Sequence, residues 1–226
     1  MRRFSAYVIS AALVALGGSV QAQDWSGGYY GVLLGGGMGD VAWHGINGSS
    51  GGQGGDGDSL NAADYDLRGA AIGGVVGYNM QTGAQVMGIE ADLMVGKIEG
   101  DGLGGVGSSD RPFSSETNAL GTLTGRYGQV TGNTLLYAEA GGAFIRQDHS
   151  HTNGSDDVMT ASETRGGWVI GIGLDHDLGN GWSLKAELNH MQFNSSAIEL
   201  SGDGADSAFA IDNKMNRIAF GATRRF

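Results

Sequence analysis

The sequence predicts an all-β chain, folded as an eight-stranded antiparallel up-and-down transmembrane β-barrel. Three observations carry this reading: segments that alternate apolar and polar residues, connections that alternate between tight turns and long polar stretches, and a last strand ending on Phe226. In that strand Ile218, Phe220, Ala222, Arg224 and Phe226 share one face, and Arg217, Ala219, Gly221, Thr223 and Arg225 share the other. A period of two sends one set toward lipid and the other toward a lumen.

Seven further segments repeat the pattern. Tyr29 to Met38 sets Tyr30, Val32, Leu34 and Met38 against Gly31, Gly35 and Gly37. Arg68 to Met80 sets Ala70, Ile72, Val76 and Tyr78 against Gly69, Gly73 and Gly77. Gln85 to Val95 carries Met87, Ile89, Leu93 and Val95 outward and Glu90 and Asp92 inward. Ala119 to Gln129 opposes Leu123 and Tyr127 to Thr122, Thr124 and Arg126. Thr134 to Arg146 opposes Leu136, Ala138, Ala140 and Phe144 to Tyr137 and Glu139. Gly167 to Asp177 opposes Trp168, Ile170, Ile172 and Leu174 to Gly171, Gly173 and Asp175. Trp182 to Phe193 opposes Trp182, Leu184, Ala186 and Leu188 to Lys185, Glu187 and Asn189. Each segment needs only about 11 residues to cross a bilayer as a tilted strand.

The connections at Gln81-Thr82-Gly83, Thr131-Gly132-Asn133 and Leu178-Gly179-Asn180-Gly181 are tight-turn signals. The others, at 40–67, 96–118, 146–164 and 194–213, read as long loops and hold 17 of the 24 acidic residues. Short turns at one end and long loops at the other, with an even strand count, is the outer-membrane pattern. At the N-terminus, Arg2 and Arg3 precede the apolar stretch Ala6 to Val20 and the small-residue site Val20-Gln21-Ala22. This reads as a signal peptide over 1–22, leaving 23–226 as the barrel domain; a retained anchor helix is the alternative.

Composition narrows the function classes. A net charge of −11 argues against nucleic-acid binding, which needs clustered Lys and Arg. Absence of cysteine removes disulfides and thiol chemistry. With the apolar faces toward lipid, Glu90, Asp92, Arg126, Glu139, Asp175, Lys185, Glu187 and Arg217 point inward, together with Asp177 and Arg225. An eight-stranded barrel is just wide enough for side chains to fill. A structural charge network is therefore expected, with Glu90–Arg126, Arg126–Glu139, Asp175–Lys185 and Glu187–Arg217 as neighbouring-strand pairs; an ion or proton path is the alternative. Trp25, Tyr29, Tyr30, Tyr78, Tyr127, Trp168, Trp182 and Phe226 fall near strand ends and are expected to form an interfacial belt. The competing reading is ordinary packing in a soluble barrel.

Other signals are weak. His176 and His190 lie on the outer face, and the next Ser after His190 is Ser195, with no carboxylate-backed arrangement to suggest a nucleophile. Gly51-Gly52-Gln53-Gly54-Gly55-Asp56 starts like a calcium repeat, but Asp58 replaces the apolar position and there is one copy. Asp148-His149-Ser150-His151 is a second thin cluster. No specific metal or cofactor is expected, only loose attraction of divalent cations to acidic loops.

The chain resembles the small eight-stranded outer-membrane proteins of Gram-negative bacteria, the OmpA-like or opacity-type "porin family". The matching residues are Asp24-Trp25-Ser26-Gly27-Gly28-Tyr29-Tyr30-Gly31, Gly73-Gly74-Val75-Val76-Gly77-Tyr78-Asn79, Gly88-Ile89-Glu90-Ala91-Asp92, Gly121-Thr122-Leu123-Thr124-Gly125-Arg126, Leu135-Leu136-Tyr137 with Gly141-Gly142, Gly167-Trp168-Val169-Ile170-Gly171-Ile172-Gly173, and Asn180-Gly181-Trp182-Ser183-Leu184-Lys185-Ala186-Glu187. The resemblance implies a cell-surface protein of the outer membrane, in contact with lipid and lipopolysaccharide and inserted by the barrel assembly machinery through its C-terminal strand. It implies a non-enzymatic role in envelope integrity, surface display and adhesion. A narrow porin-like channel and a lipid-modifying enzyme are the alternatives.

Overall fold

The computed structural model describes residues 24–45, 61–104, 111–152, 158–200 and 207–226. Residues 1–22, expected from the sequence to be a signal peptide, and the Gly51–Asp56 motif lie outside them. Eight strands follow one another: β1 Gly27–Gly45, β2 Asn61–Thr82, β3 Gln85–Gly104, β4 Arg111–Thr131, β5 Thr134–Thr152, β6 Val158–Gly179, β7 Trp182–Leu200 and β8 Ser207–Arg225. Each pairs antiparallel with its sequence neighbour, and β8 closes on β1 from Tyr29↔Arg225 to Gly45↔Phe209.

Turn chemistry fixes the short end. Gly83 and Gly132 take positive φ of 63° and 61° in two-residue turns. Asn180 and Gly181, at 55° and 80°, join β6 to β7. Positive φ at both central residues defines the Asn-Gly hairpin whose twist matches its strands, and Gly179 before them is positive too, at 87°.

The strands run 19 to 22 residues, about twice the expected length. Most of the expected loops 40–67, 96–118, 146–164 and 194–213 are strand, leaving 46–60, 105–110, 153–157 and 201–206 outside the described residues. The physical reason is a reversal of the face pattern. Along β1, Tyr30, Val32, Leu34 and Met38 are exposed outward, but beyond Met38 the exposed residue is Asp40 and the buried ones are Val41 and Trp43. On β2, Asp64, Asp66 and Arg68 face out while Ala63, Tyr65 and Leu67 are buried. The strands leave the membrane and continue as a water-soluble barrel with an apolar core. That core joins Val41, Trp43, Leu67, Phe113, Ile145 and Met191, among others.

Bulges help at the changeover. Register shifts lie between Val95 and Ile98 on β3 and between Thr117 and Ala119 on β4. On β4 the extra residue switches which positions face inward: Phe113, Ser115 and Thr117 above it, Leu120, Thr122 and Thr124 below it.

Candidate functional site

The membrane half of the lumen is built from inward residues of every strand. The eight lumen residues expected from the sequence are all buried, none more than 6% exposed. At their centre lies Arg126 of β4. Its guanidinium stands 4.6 Å from the Tyr29 ring centroid and 4.8 Å from that of Tyr137, so it is held between two aromatic faces. Its Nη1 reaches Glu90 Oε2 at 3.0 Å and Asp175 Oδ2 at 3.1 Å, and its Nε donates to Asn79 Oδ1 at 3.0 Å. The two tyrosines fit because glycine faces each of them. A Cβ on Gly77 would sit 2.1 Å from Tyr29 Oη, and one on Gly173 would sit 2.3 Å from Tyr137 Cζ.

Lys185 completes this cluster. Its Nζ lies 2.7 Å from Glu90 Oε2, 2.7 Å from Glu187 Oε1 and 3.7 Å from Asp175 Oδ1. It also donates to Tyr137 Oη at 2.6 Å, and that hydroxyl donates to Glu187 Oε1 at 2.7 Å. Carboxylate oxygens of Glu90, Glu139 and Glu187 come within 4.8 Å of one another, a spacing that could suit a metal. The ammonium of Lys185 already supplies the positive charge there. A second cluster lies on Arg217, with Nη1 2.6 Å from Asp92 Oδ1 and Nη2 3.9 Å from Glu187 Oε2. Four carboxylates, Glu90, Asp92, Asp175 and Glu187, thus meet three bases. Neutral donors serve the rest: Thr122 donates to Asp92 at 2.5 Å, Thr124 to Glu139 at 3.1 Å, and Asn189 to Glu139.

Two expected pairings change. Arg126 stands opposite Glu139 in register but its ion pairs go to Glu90 and Asp175. Arg217 pairs chiefly with Asp92 on β3, across the lumen, more closely than with Glu187. The lumen is so narrow that a long side chain meets the opposite wall as readily as the next strand.

The expected aromatic belt also divides. Tyr30, Tyr78, Tyr127, Trp168, Trp182 and Phe226 are exposed on the outer face. Trp25 and Tyr29 are not part of it: both are buried inside, at 2% and 4% exposure. Strict alternation from outward Tyr30 sends Tyr29 inward, where its hydroxyl donates to Glu90 at 2.5 Å. Trp25 packs with Val86, Val130, Leu135 and Tyr137 across the turn end of the lumen. Its backbone N–H donates to Gln81 Oε1 at 2.7 Å, and the Arg225 guanidinium stacks 4.4 Å from its ring. Arg225 also pairs with Asp177. Phe226 closes on β1 through its N–H to Gly28 O at 3.0 Å and its ring against Tyr30 at 6.0 Å.

Sequence reading missed a second polar chain, in the core of the extracellular half. Trp43 Nε1 donates to Tyr65 Oη at 2.9 Å, which lies 2.6 Å from Ser115 Oγ. Ser115 Oγ is 2.7 Å from His149 Nδ1, and His149 Nε2 is 3.1 Å from Glu163 Oε1. A neutral imidazole protonated at Nε2 satisfies the whole chain, each hydroxyl donating once and accepting once. Burial pushes the Tyr65 phenol up to about 12. The Asp148–His151 cluster dissolves, because Asp148 faces outward to Asn118 and Ser162 while His149 faces inward. Ser195 donates to Asp212 and His190 lies 2.9 Å from Asn216, so these two do not form a Ser–His pair.

A closed barrel with a lipid-facing apolar belt, a charged membrane lumen and tight turns at one end defines an integral outer-membrane β-barrel protein. Comparison with known proteins agrees: the chain belongs to the outer membrane protein beta-barrel domain family, whose model matches residues 8–226. It is 25% identical over 188 residues to the 31 kDa outer-membrane immunogenic protein of Brucella melitensis, covering 80% of this chain and 76% of that one. It is 29% identical over 146 residues to a 22 kDa outer membrane protein of Rhizobium leguminosarum bv. viciae, 63% of each chain. In fold it is similar to the outer membrane protein OprG of Pseudomonas aeruginosa, with TM-score 0.59 and 13% identity over 92% of this chain and all of that one. It is similar too to the outer membrane protease OmpT of Escherichia coli, with TM-score 0.58 and 8% identity over 88% and 97%.

Proposed function

We propose that this barrel neither conducts nor catalyses, and that its role is structural and surface-borne: it supports the envelope and presents its extracellular end for contact and adhesion. The observation that carries this reading is the filled lumen. Arg126, Lys185 and Arg217 link carboxylates from β3, β6 and β7, Trp25 packs across the turn end, and the apolar core lies above. A conducting path would need hydrated space past these side chains, and they are almost wholly inaccessible. The immunogenic label of the Brucella relative supports surface display.

Ser115, His149 and Glu163 lie within hydrogen-bond reach of one another, as a hydrolase would need. Yet Ser115 is 2% exposed and its oxygen is also engaged by Tyr65, which favours a structural chain. Planar-bilayer recordings of the refolded protein test the proposal and should show no regular conductance steps; reproducible unitary steps would overturn it. A fluorophosphonate probe should leave Ser115 unlabelled, and covalent labelling lost in Ser115→Ala would overturn the non-catalytic part.

A further inference from the structure

The outward residues of the extracellular half are sorted by charge. On β2, β3, β5 and β8, the outward positions beyond the last lipid-facing residues include a base. Above Ile72 and Ala70 on β2 stands Arg68; above Val95 on β3, Lys97; above Phe144 on β5, Arg146; above Ile218 and Asn216 on β8, Lys214. These four are the outward-facing lysines and arginines of this half among the residues whose side chains are described. Outward carboxylates stand mainly one step further out or beyond, at Asp66, Glu99, Glu116, Asp148 and Asp212. The exception in the basic tier is Asp40, across from Lys214, whose carboxyl is pushed up by burial and by Asp66.

From these positions we infer that Arg68, Lys97, Arg146 and Lys214 form a collar that binds the phosphate groups of lipid headgroups in the outer leaflet. Apart from Arg224 at the turn end, a net acidic protein carries its outward lysines and arginines at the level where lipid phosphates lie, just above the acyl chains. The carboxylates are displaced outward, away from that anionic plane. Two of the collar bases already carry ion pairs, but exposed ones. Arg68–Asp66 at 3.4 Å, Lys97–Glu99 at 2.7 Å and Lys97–Glu116 at 3.3 Å are exposed contacts of the kind that yields readily to a competing anion. The belt's aromatics complement the arrangement: Tyr30, Tyr78, Tyr127, Trp182 and Phe226 gather at the turn end, and the four collar bases at the other. Below Lys214, an outer groove between Met38, Ile170, Leu188 and Ile218, rimmed by His190 and Asn216, offers a lane for an acyl chain. The inference rests on the barrel's place in the outer membrane and is independent of whether its lumen conducts.

Native mass spectrometry of the full, refolded protein in a neutral detergent tests this, with dioleoylphosphatidic acid as probe and dioleoylglycerol as its phosphate-free counterpart. Wild type should retain the phosphatidic acid at least tenfold more tightly than the diacylglycerol. The variant Arg68→Gln/Lys97→Gln/Arg146→Gln/Lys214→Gln should lose most of that preference, and Glu99→Gln/Glu116→Gln should keep it. In the wild type alone, fluorescence titration with the same lipid should weaken severalfold at about 0.5 M salt, since exposed charges are screened there. Equal retention of both lipids, salt-independent binding, or an unchanged preference in the refolded fourfold variant would each overturn the collar. Inorganic phosphate competing at the lipid's own affinity would overturn the choice of lipid as its source.

Discussion

The two halves of this barrel are made from the same eight strands with opposite faces. In the membrane half Ile, Leu and Val point out, and arginine, lysine and carboxylates point in. In the extracellular half carboxylates and bases point out, and Trp43, Leu67, Phe113 and Ile145 point in. The exchange does not require a break in the backbone ladder: β1 pairs with β2 and β8, and β4 with β3 and β5, on both sides of the changeover. The surrounding medium sets it. From Tyr30 to Met38 a strand rises about 20 Å along the normal at the usual rise and tilt, close to the height of an outer-membrane apolar band. Where lipid ends, water takes over the outside, and the core reverts to that of a soluble protein.

The contrast can be broken most strongly in the charged half. Arg126→Ala should cost about 3–5 kcal/mol, because Glu90 and Asp175 keep their burial and lose their shared base. Urea unfolding of the refolded variant, followed by heat-dependent gel mobility, measures it; wild-type stability would show that the network is not needed. On the outer surface one substitution should give two answers. Ile172→Arg, in the lipid belt of β6, should cost about 2–4 kcal/mol. Thr164→Arg, outward on the same strand beyond the belt, should stay within about 0.5 kcal/mol.

Between these lies a pH effect specific to the extracellular core. A tyrosine in the unfolded chain ionises near 10, whereas folded Tyr65 holds its proton until about 12. The folded state therefore binds the proton more tightly, and stability falls as pH rises through that window. The loss reaches at most about 2–3 kcal/mol. Unfolding curves of wild type and Tyr65→Phe should converge as pH rises through it. Parallel curves would mean that Tyr65 is not buried as described.

The legible and illegible parts of the fold divide along the same line. A template of apolar-out, polar-in alternation found all eight strands where lipid surrounds them, and placed Glu90, Asp92, Arg126, Glu139, Asp175, Lys185, Glu187 and Arg217 on the inner face. The same template stopped at Met38 and Val95, because beyond them the alternation continues with its sign reversed and reads as an acidic loop. The β4 bulge hid Ser115 further, since it changes which positions face inward. Aromatic type alone assigns Tyr29 to the belt, whereas its position next to outward Tyr30 sends it inward. Pairings across the lumen, Arg126 with Asp175 and Arg217 with Asp92, join strands that are not neighbours, so sequence adjacency could not propose them.

Cysteine scanning along β6 tests the reversal most directly, because the chain has no cysteine of its own. Single cysteines at Thr160, Ser162, Thr164, Trp168, Ile170, Ile172 and Leu174, all outward, would be exposed to a water-soluble maleimide in outer-membrane vesicles, with Arg165 and Val169 as inward controls. Positions 160, 162 and 164 should label rapidly, 168 to 174 should be protected until detergent is added, and the inward pair should resist throughout. Uniform labelling of all the outward positions before detergent, or rapid labelling at 165 and 169, would contradict a strand that changes solvent halfway along its length.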